Sequence, residues 1–86
     1  MRSIISTHDF DRQVESLGGA KALDEVLSPL MEALSNDPYG FNKFENDFTS
    51  FRYVLTKETL FTPALSIVFT IDENKNVVLE HIEVVE

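Results

Sequence analysis

Two side chains of this 86-residue chain have the types that acid–base or phosphate chemistry needs and sit in patterned segments. Arg52 lies in a run where Phe51, Tyr53 and Leu55 alternate with Arg52, Val54 and Thr56, and His81 lies in the closing run Val77-Val78-Leu79-Glu80-His81-Ile82-Glu83-Val84. A guanidinium offers a planar fork of donors to a phosphate or carboxylate, and imidazole changes charge near neutral pH. His81 is therefore the candidate for acid–base catalysis. His8 with Asp11, or His8 with Arg12, shares a face at helical spacing, but a pair lacks the remaining ligands of a zinc site. The run Asp72-Glu73-Asn74-Lys75-Asn76 lacks the twelve-residue spacing, central glycine and terminal glutamate of a calcium loop, and reads as a turn. With no cysteine there is neither a thiolate nucleophile nor a disulfide. Glycine-rich phosphate loops and the Gly-x-Ser-x-Gly elbow are absent, so no metal and no cofactor is expected.

The elements that must position these residues follow from periodicity. Ser3 to Thr7 is a short β-prone run. Thr7 is placed to cap a helix with Asp9 and Asp11 in its first turn and Phe10, Val14 and Leu17 on one stripe, ended by Gly18-Gly19. Ala20, Leu23, Leu27, Leu30 and Leu34 recur at spacings of three and four, which predicts a second amphipathic helix. Pro29 inside it predicts a kink or a split, with Ser28 as the new cap in the split form. Asn36 to Gly40 favours a turn, and a loop to about Ser50 carries Phe41, Phe44 and Phe48, rings that pin it to the core. Phe51 to Thr56 is a second strand, and a loop from Lys57 to Pro63 follows, with Phe61 read as a lid or, preferably, one more core anchor.

Leu65, Ile67, Phe69 and Ile71 alternate with Ser66, Val68 and Thr70, which requires a strand with one buried face, and the polar run after it predicts a hairpin to Val77–Val84. Its register decides where His81 points. A five-residue loop sets Ile71 against Val77 and turns His81 inward, whereas a loop one residue shorter sets Ile67 against Ile82 and Leu65 against Val84 and turns it outward. The second is preferred. Each leaves one glutamate facing inward, Glu83 in the first and Glu80 in the second, which a bulge relieves.

Eighty-six residues suffice for a single domain, residues 1–86, with one core. Strand, two helices, then three strands predicts an α+β fold, β-α-α-β-β-β, with the helical hairpin packed on one face of an antiparallel sheet. Fifteen acidic against seven basic residues give a net charge of −8. Such a chain repels phosphate backbones and anionic lipid, so no binding to free nucleic acid or membrane is expected. Without a long apolar run or a signal-peptide pattern, the expected location is cytoplasmic.

The order of elements, the segment Leu34-Ser-Asn-Asp-Pro-Tyr-Gly-Phe-Asn-Lys-Phe-Glu-Asn-Asp47 followed by Phe51-Arg52-Tyr53, and Ile67-Val-Phe-Thr-Ile-Asp72 before Val77-Val-Leu79 resemble the RelE/ParE superfamily of bacterial toxins. The resemblance spans nearly the whole chain. It implies a small cytoplasmic toxin encoded beside an antitoxin, either cleaving messenger RNA on the ribosome or poisoning DNA gyrase. Arg52 is the position it carries over, as the basic residue of the second strand, and the resemblance thereby makes Arg52 a candidate catalytic residue beside His81. The chain departs from the family where a third-strand arginine is usual, at Ala64-Leu65-Ser66-Ile67, and in its acidic balance and lack of a basic, aromatic tail. The expected partner is accordingly an antitoxin-like protein, with ribosome or gyrase as further targets of any remaining toxin activity. The alternative reading is a small interaction or regulatory domain without toxicity, self-associating as a homodimer.

Overall fold

Leu65, Ile67 and Phe69 have no solvent exposure, while Ser66, Val68 and Thr70 between them are half-buried, so one sheet face is core and the other is not. A computed structural model describes residues 3–43, 51–60 and 62–85. The chain runs β1 (Ile4–Ser6), α1 (His8–Ser16), α2 (Ala20–Asn36), a 3-10 turn (Pro38–Gly40), β2 (Asn42–Lys43), β3 (Arg52–Leu55), β4 (Leu65–Ile71) and β5 (Val77–Val84). It is α+β, as the pattern required. Phe10 and Val14 of α1 and Leu23, Leu27, Leu30 and Leu34 of α2 pack on the buried face, against Leu65, Ile67, Phe69, Val77, Leu79 and Ile82. The helical hairpin thus covers one side of the sheet.

The sheet corrects the antiparallel expectation. Its strand order is β1-β5-β4-β3-β2, and β1 runs parallel to β5, with Ile4 opposite Val77 and Ser6 opposite Leu79. Strands β2 to β5 form the antiparallel meander. A tight turn forces antiparallel neighbours, but β1 and β5 are joined through the entire chain, which leaves their direction free. A two-residue strand, β2, also lies inside the segment read as loop. Phe41, just before it, meets Phe69 edge-to-face with ring centroids 5.8 Å apart, the anchoring that its apolar ring predicted. Phe44, Phe48 and Phe61 lie outside the described residues.

Helix α1 begins where the cap was expected: the Thr7 hydroxyl accepts the Phe10 N–H at 3.1 Å. Gly18 and Gly19 both hold positive φ, +112° and +91°, in the link to α2. Helix α2 is not split at Pro29, and Ser28 is no cap: the helix runs through both positions. The proline removes the hydrogen bond to the Glu25 carbonyl, and both residues are exposed, so the lost bond lies on the solvent side of the helix.

In the β4–β5 hairpin the two registers weighed from sequence both occur. Next to the turn Ile71 faces Val77 and Phe69 faces Leu79; farther along Ile67 faces Ile82 and Leu65 faces Val84. The register shifts between Val68 and Phe69, leaving Glu80 as the unpaired residue of a β-bulge. That bulge lets Val77, Leu79 and Ile82 all be buried although the last two are three residues apart. No glutamate need face the core.

The turn from Asp72 to Asn76 is closed by its first residue. The Asp72 carboxylate accepts the Asn74 and Asn76 N–H groups, each at 2.9 Å, and the Asp72 N–H donates to the Asn76 carbonyl at 2.9 Å. Lys75 then holds φ +66°, a left-handed conformation that costs a non-glycine residue about 1 kcal/mol. Lys75→Gly is expected to raise stability by about 0.5–1 kcal/mol, read from the urea midpoint at unchanged m-value.

Thr62 poses the opposite case. It is 3% exposed, and its hydroxyl has no hydrogen-bond partner among the described residues, while its backbone N–H donates to the Thr59 hydroxyl at 3.0 Å. An unpaired buried hydroxyl costs about 1–3 kcal/mol, and valine keeps its shape. Thr62→Val should therefore raise the melting temperature, with a gain of about 1 kcal/mol in chemical denaturation.

Candidate functional site

Arg52 and His81 lie on opposite faces of the sheet. Arg52 pairs with Phe69, whose side chain is in the core, whereas His81 pairs with Val68, on the face away from the helices. The backbone alternation that buries β4 therefore separates the two candidate catalytic groups. They do not form one site.

Arg52 is committed to its own chain. Its Nη1 donates to the Phe41 carbonyl at 3.0 Å and to the Tyr39 carbonyl at 3.4 Å, and its guanidinium carbon stands 5.5 Å from the centre of the Tyr39 ring. A planar cation that receives two carbonyls and lies by an aromatic face is well suited to hold the segment following the 3-10 turn. The carbonyls and the ring engaging it belong to the protein, and no phosphate is required to account for its position.

His81 sits in a different arrangement. Beyond Leu79, β1 has ended and the edge of β5 is met by side chains of α1. The Thr7 N–H donates to the Leu79 carbonyl at 3.1 Å, and the Thr7 hydroxyl approaches the Glu80 carbonyl at 3.5 Å. Gln13 takes the next position: its Oε1 accepts the Ile82 N–H at 2.8 Å, and its Nε2 lies 2.9 Å from His81 Nδ1. His81 Nε2 stands 3.4 Å from Glu83 Oε2. The side chains of His81 and Glu83 are 43% and 64% exposed, so solvent reaches both.

This chain of contacts fixes the histidine's chemistry. A backbone N–H must find an acceptor, so the Gln13 oxygen is held at Ile82 and its NH₂ group turns to His81. Nδ1 then accepts, and the proton of the neutral ring sits on Nε2, toward Glu83. An imidazole held in this way can donate from Nε2 at the surface, but no nucleophile or phosphate-binding cation stands beside it among the described groups that contact it.

Gln13 carried no signal in the sequence. It interrupts neither the apolar stripe nor the polar face of its helix, and its importance comes only from the point where β1 stops covering β5. Asp9 and Arg12 of the same helix form an exposed ion pair one turn apart. Among the described residues no group of three or more histidine or carboxylate side chains is arranged to hold a metal ion.

The face that carries His81 presents Ile5, Val78, Val68 and Leu55 with Thr70, Ser66 and Glu83. Ile5 is 45% and Leu55 60% exposed. Leu60 is more exposed still, at 89%, at the tip of a turn in which the Thr59 N–H donates to the Thr62 carbonyl at 2.8 Å. Among the described residues no helix is long and apolar enough to cross a membrane.

Comparison with protein-family models, with curated proteins and with solved structures finds no match to this chain.

Arg52→Ala should cost about 1–2 kcal/mol of stability, through loss of charge-assisted bonds to two carbonyls that remain partly solvated. Arg52→Lys should recover only part of it, because one ammonium cannot reproduce the planar contact with Tyr39. Urea denaturation of the three proteins measures both.

Proposed function

We propose that this chain is a divergent RelE/ParE-like domain of a toxin–antitoxin module and acts mainly by binding a protein, an antitoxin-like polypeptide, in the cytoplasm. The observation that carries this reading is the division of the sheet: the helices cover one face, and the opposite face displays Ile5, Val78, Val68 and Leu55. Ile5 and Leu55 are exposed on it, and apolar side chains on an open face favour a protein partner over a charged polymer. The coarse succession of strand, helical hairpin and meander supports the reading, with one strand, β2, added to the expected order.

Support for binding over catalysis comes from the candidate residues themselves. Cleavage of RNA needs a cation at the phosphate and an acid or base within about 3 Å of the reacting oxygens. Arg52 and His81 are on opposite faces, and Arg52 is engaged by Phe41 and Tyr39. Residual activity on ribosome or gyrase would have to be built from other groups.

The test is co-expression with the product of the adjacent reading frame, followed by size-exclusion chromatography with light scattering. The expected result is a stable complex that Leu55→Glu dissociates without lowering the melting temperature of the free chain by more than a few degrees. Absence of a complex, together with harmless expression of the chain alone, would reject the toxin–antitoxin reading in favour of an unrelated interaction domain.

A further inference from the structure

We infer that the open face of the sheet seats an amphipathic helix of a partner protein, with basic residues flanking the helix's apolar stripe. This deepens the reading of that face as the binding surface and rests on it. Ile5 pairs with Val78; Val68 lies one strand farther and two residues along, and Leu55 one strand and two residues farther again. The four form a diagonal. With strands about 4.8 Å apart and alternate residues about 6.8 Å apart, it runs for roughly 20 Å, the length of between about three and four helical turns. A segment lying across a face, unlike one lying along an edge, meets no free backbone of the sheet, so its own N–H and C=O groups must pair within it. A helix does this, and a single extended strand does not.

The flank of the diagonal sets the charge. Ser66 pairs with Leu55 on one side and with Glu83 on the other, so the carboxylate stands at the end of the stripe. Glu83 lies 3.4 Å from His81 Nε2 yet is 64% exposed, which leaves it open to a cation. Among the described strand residues this face carries no lysine or arginine: Lys43 pairs with Arg52, and Arg52 pairs with the core residue Phe69 on the opposite face.

That charge selects among occupants. A two-fold contact between copies sets this face against itself, so the second copy brings no lysine or arginine on these strands to answer Glu83, and each copy carries a net charge of −8. Self-association is therefore opposed. Nucleic acid and anionic lipid carry the sign that the chain repels. A helix with lysine or arginine beside its apolar stripe neutralises Glu83 and covers Leu55 in the same contact.

The experiment titrates the full chain, followed by backbone amide NMR, with two synthetic helical peptides of about fourteen residues that share one leucine stripe. One carries lysine on its flanks and the other glutamate. The lysine peptide should bind and shift the amides of Ser66, Val68, Val78 and Glu83 while leaving those of α2 in place. Glu83→Lys should weaken it roughly three- to tenfold at unchanged melting temperature, and raising salt from about 50 to about 500 mM should weaken it as well. Leu55→Glu separates a seat from mere attraction: the added acid would tighten a contact held by charge alone, whereas loss of the apolar contact should weaken it. The inference is overturned by equal binding of the two peptides, by shifts confined to the helices, by tighter binding to Leu55→Glu, or by a dimer of the free chain that Leu55→Glu breaks. A co-expressed complex that withstands both Glu83→Lys and high salt would overturn the basic helix while leaving the toxin–antitoxin reading intact. Absence of that complex, with the lysine peptide seated on the face, would reject the toxin–antitoxin reading and uphold the basic helix.

Discussion

The structure depends on a change of phase within one strand. β5 must bury Val77 and Leu79 near its turn and Ile82 farther on, and two-residue alternation cannot do both. Leaving Glu80 unpaired resolves the conflict. From that single residue follow the burial of Ile82, the outward placement of His81 and the presence of Glu83 on the same face as His81. Without it, one glutamate of the pair Glu80 and Glu83 would enter the core, at a cost of several kcal/mol for an unpaired charge.

The bulge also decides how the helices meet the sheet. The Leu79 and Glu80 carbonyls and then the Ile82 N–H point toward α1, which answers the carbonyls with its cap residue Thr7 and accepts the N–H with Gln13 Oε1. Side chains of a helix thus serve the backbone groups that a longer β1 would have served. Thr7 is used twice, capping α1 through Phe10 and approaching β5 through Glu80. This is an economical way to end a three-residue parallel strand, since the exposed edge is occupied where it first appears.

Much of the architecture was legible because burial writes itself as periodicity. The stripe from Leu23 to Leu34 and the alternation from Leu65 to Ile71 can each satisfy only one element type, and both formed as read. The Thr7 cap and the Gly18-Gly19 break were legible for similarly local reasons. What escaped were relations between distant residues. The direction of β1 is set by its meeting with β5, which no local pattern encodes, and Gln13 matters only because of that meeting. Pro29 did not split the helix, because the one hydrogen bond it removes lies between exposed residues on the solvent side. At the candidate site, the residue types of Arg52 and His81 suggested chemistry, but only the register revealed that the sheet lies between them.

The pairing of β1 with β5 has a kinetic side. Ile4 and Val77 lie far apart in sequence, so β1 has no backbone to join until the β4–β5 hairpin has been made. Until then the apolar stripes of both helices lack the sheet that shields them. Closing the sheet is therefore a long-range step, and an intermediate that lacks it is the aggregation-prone one.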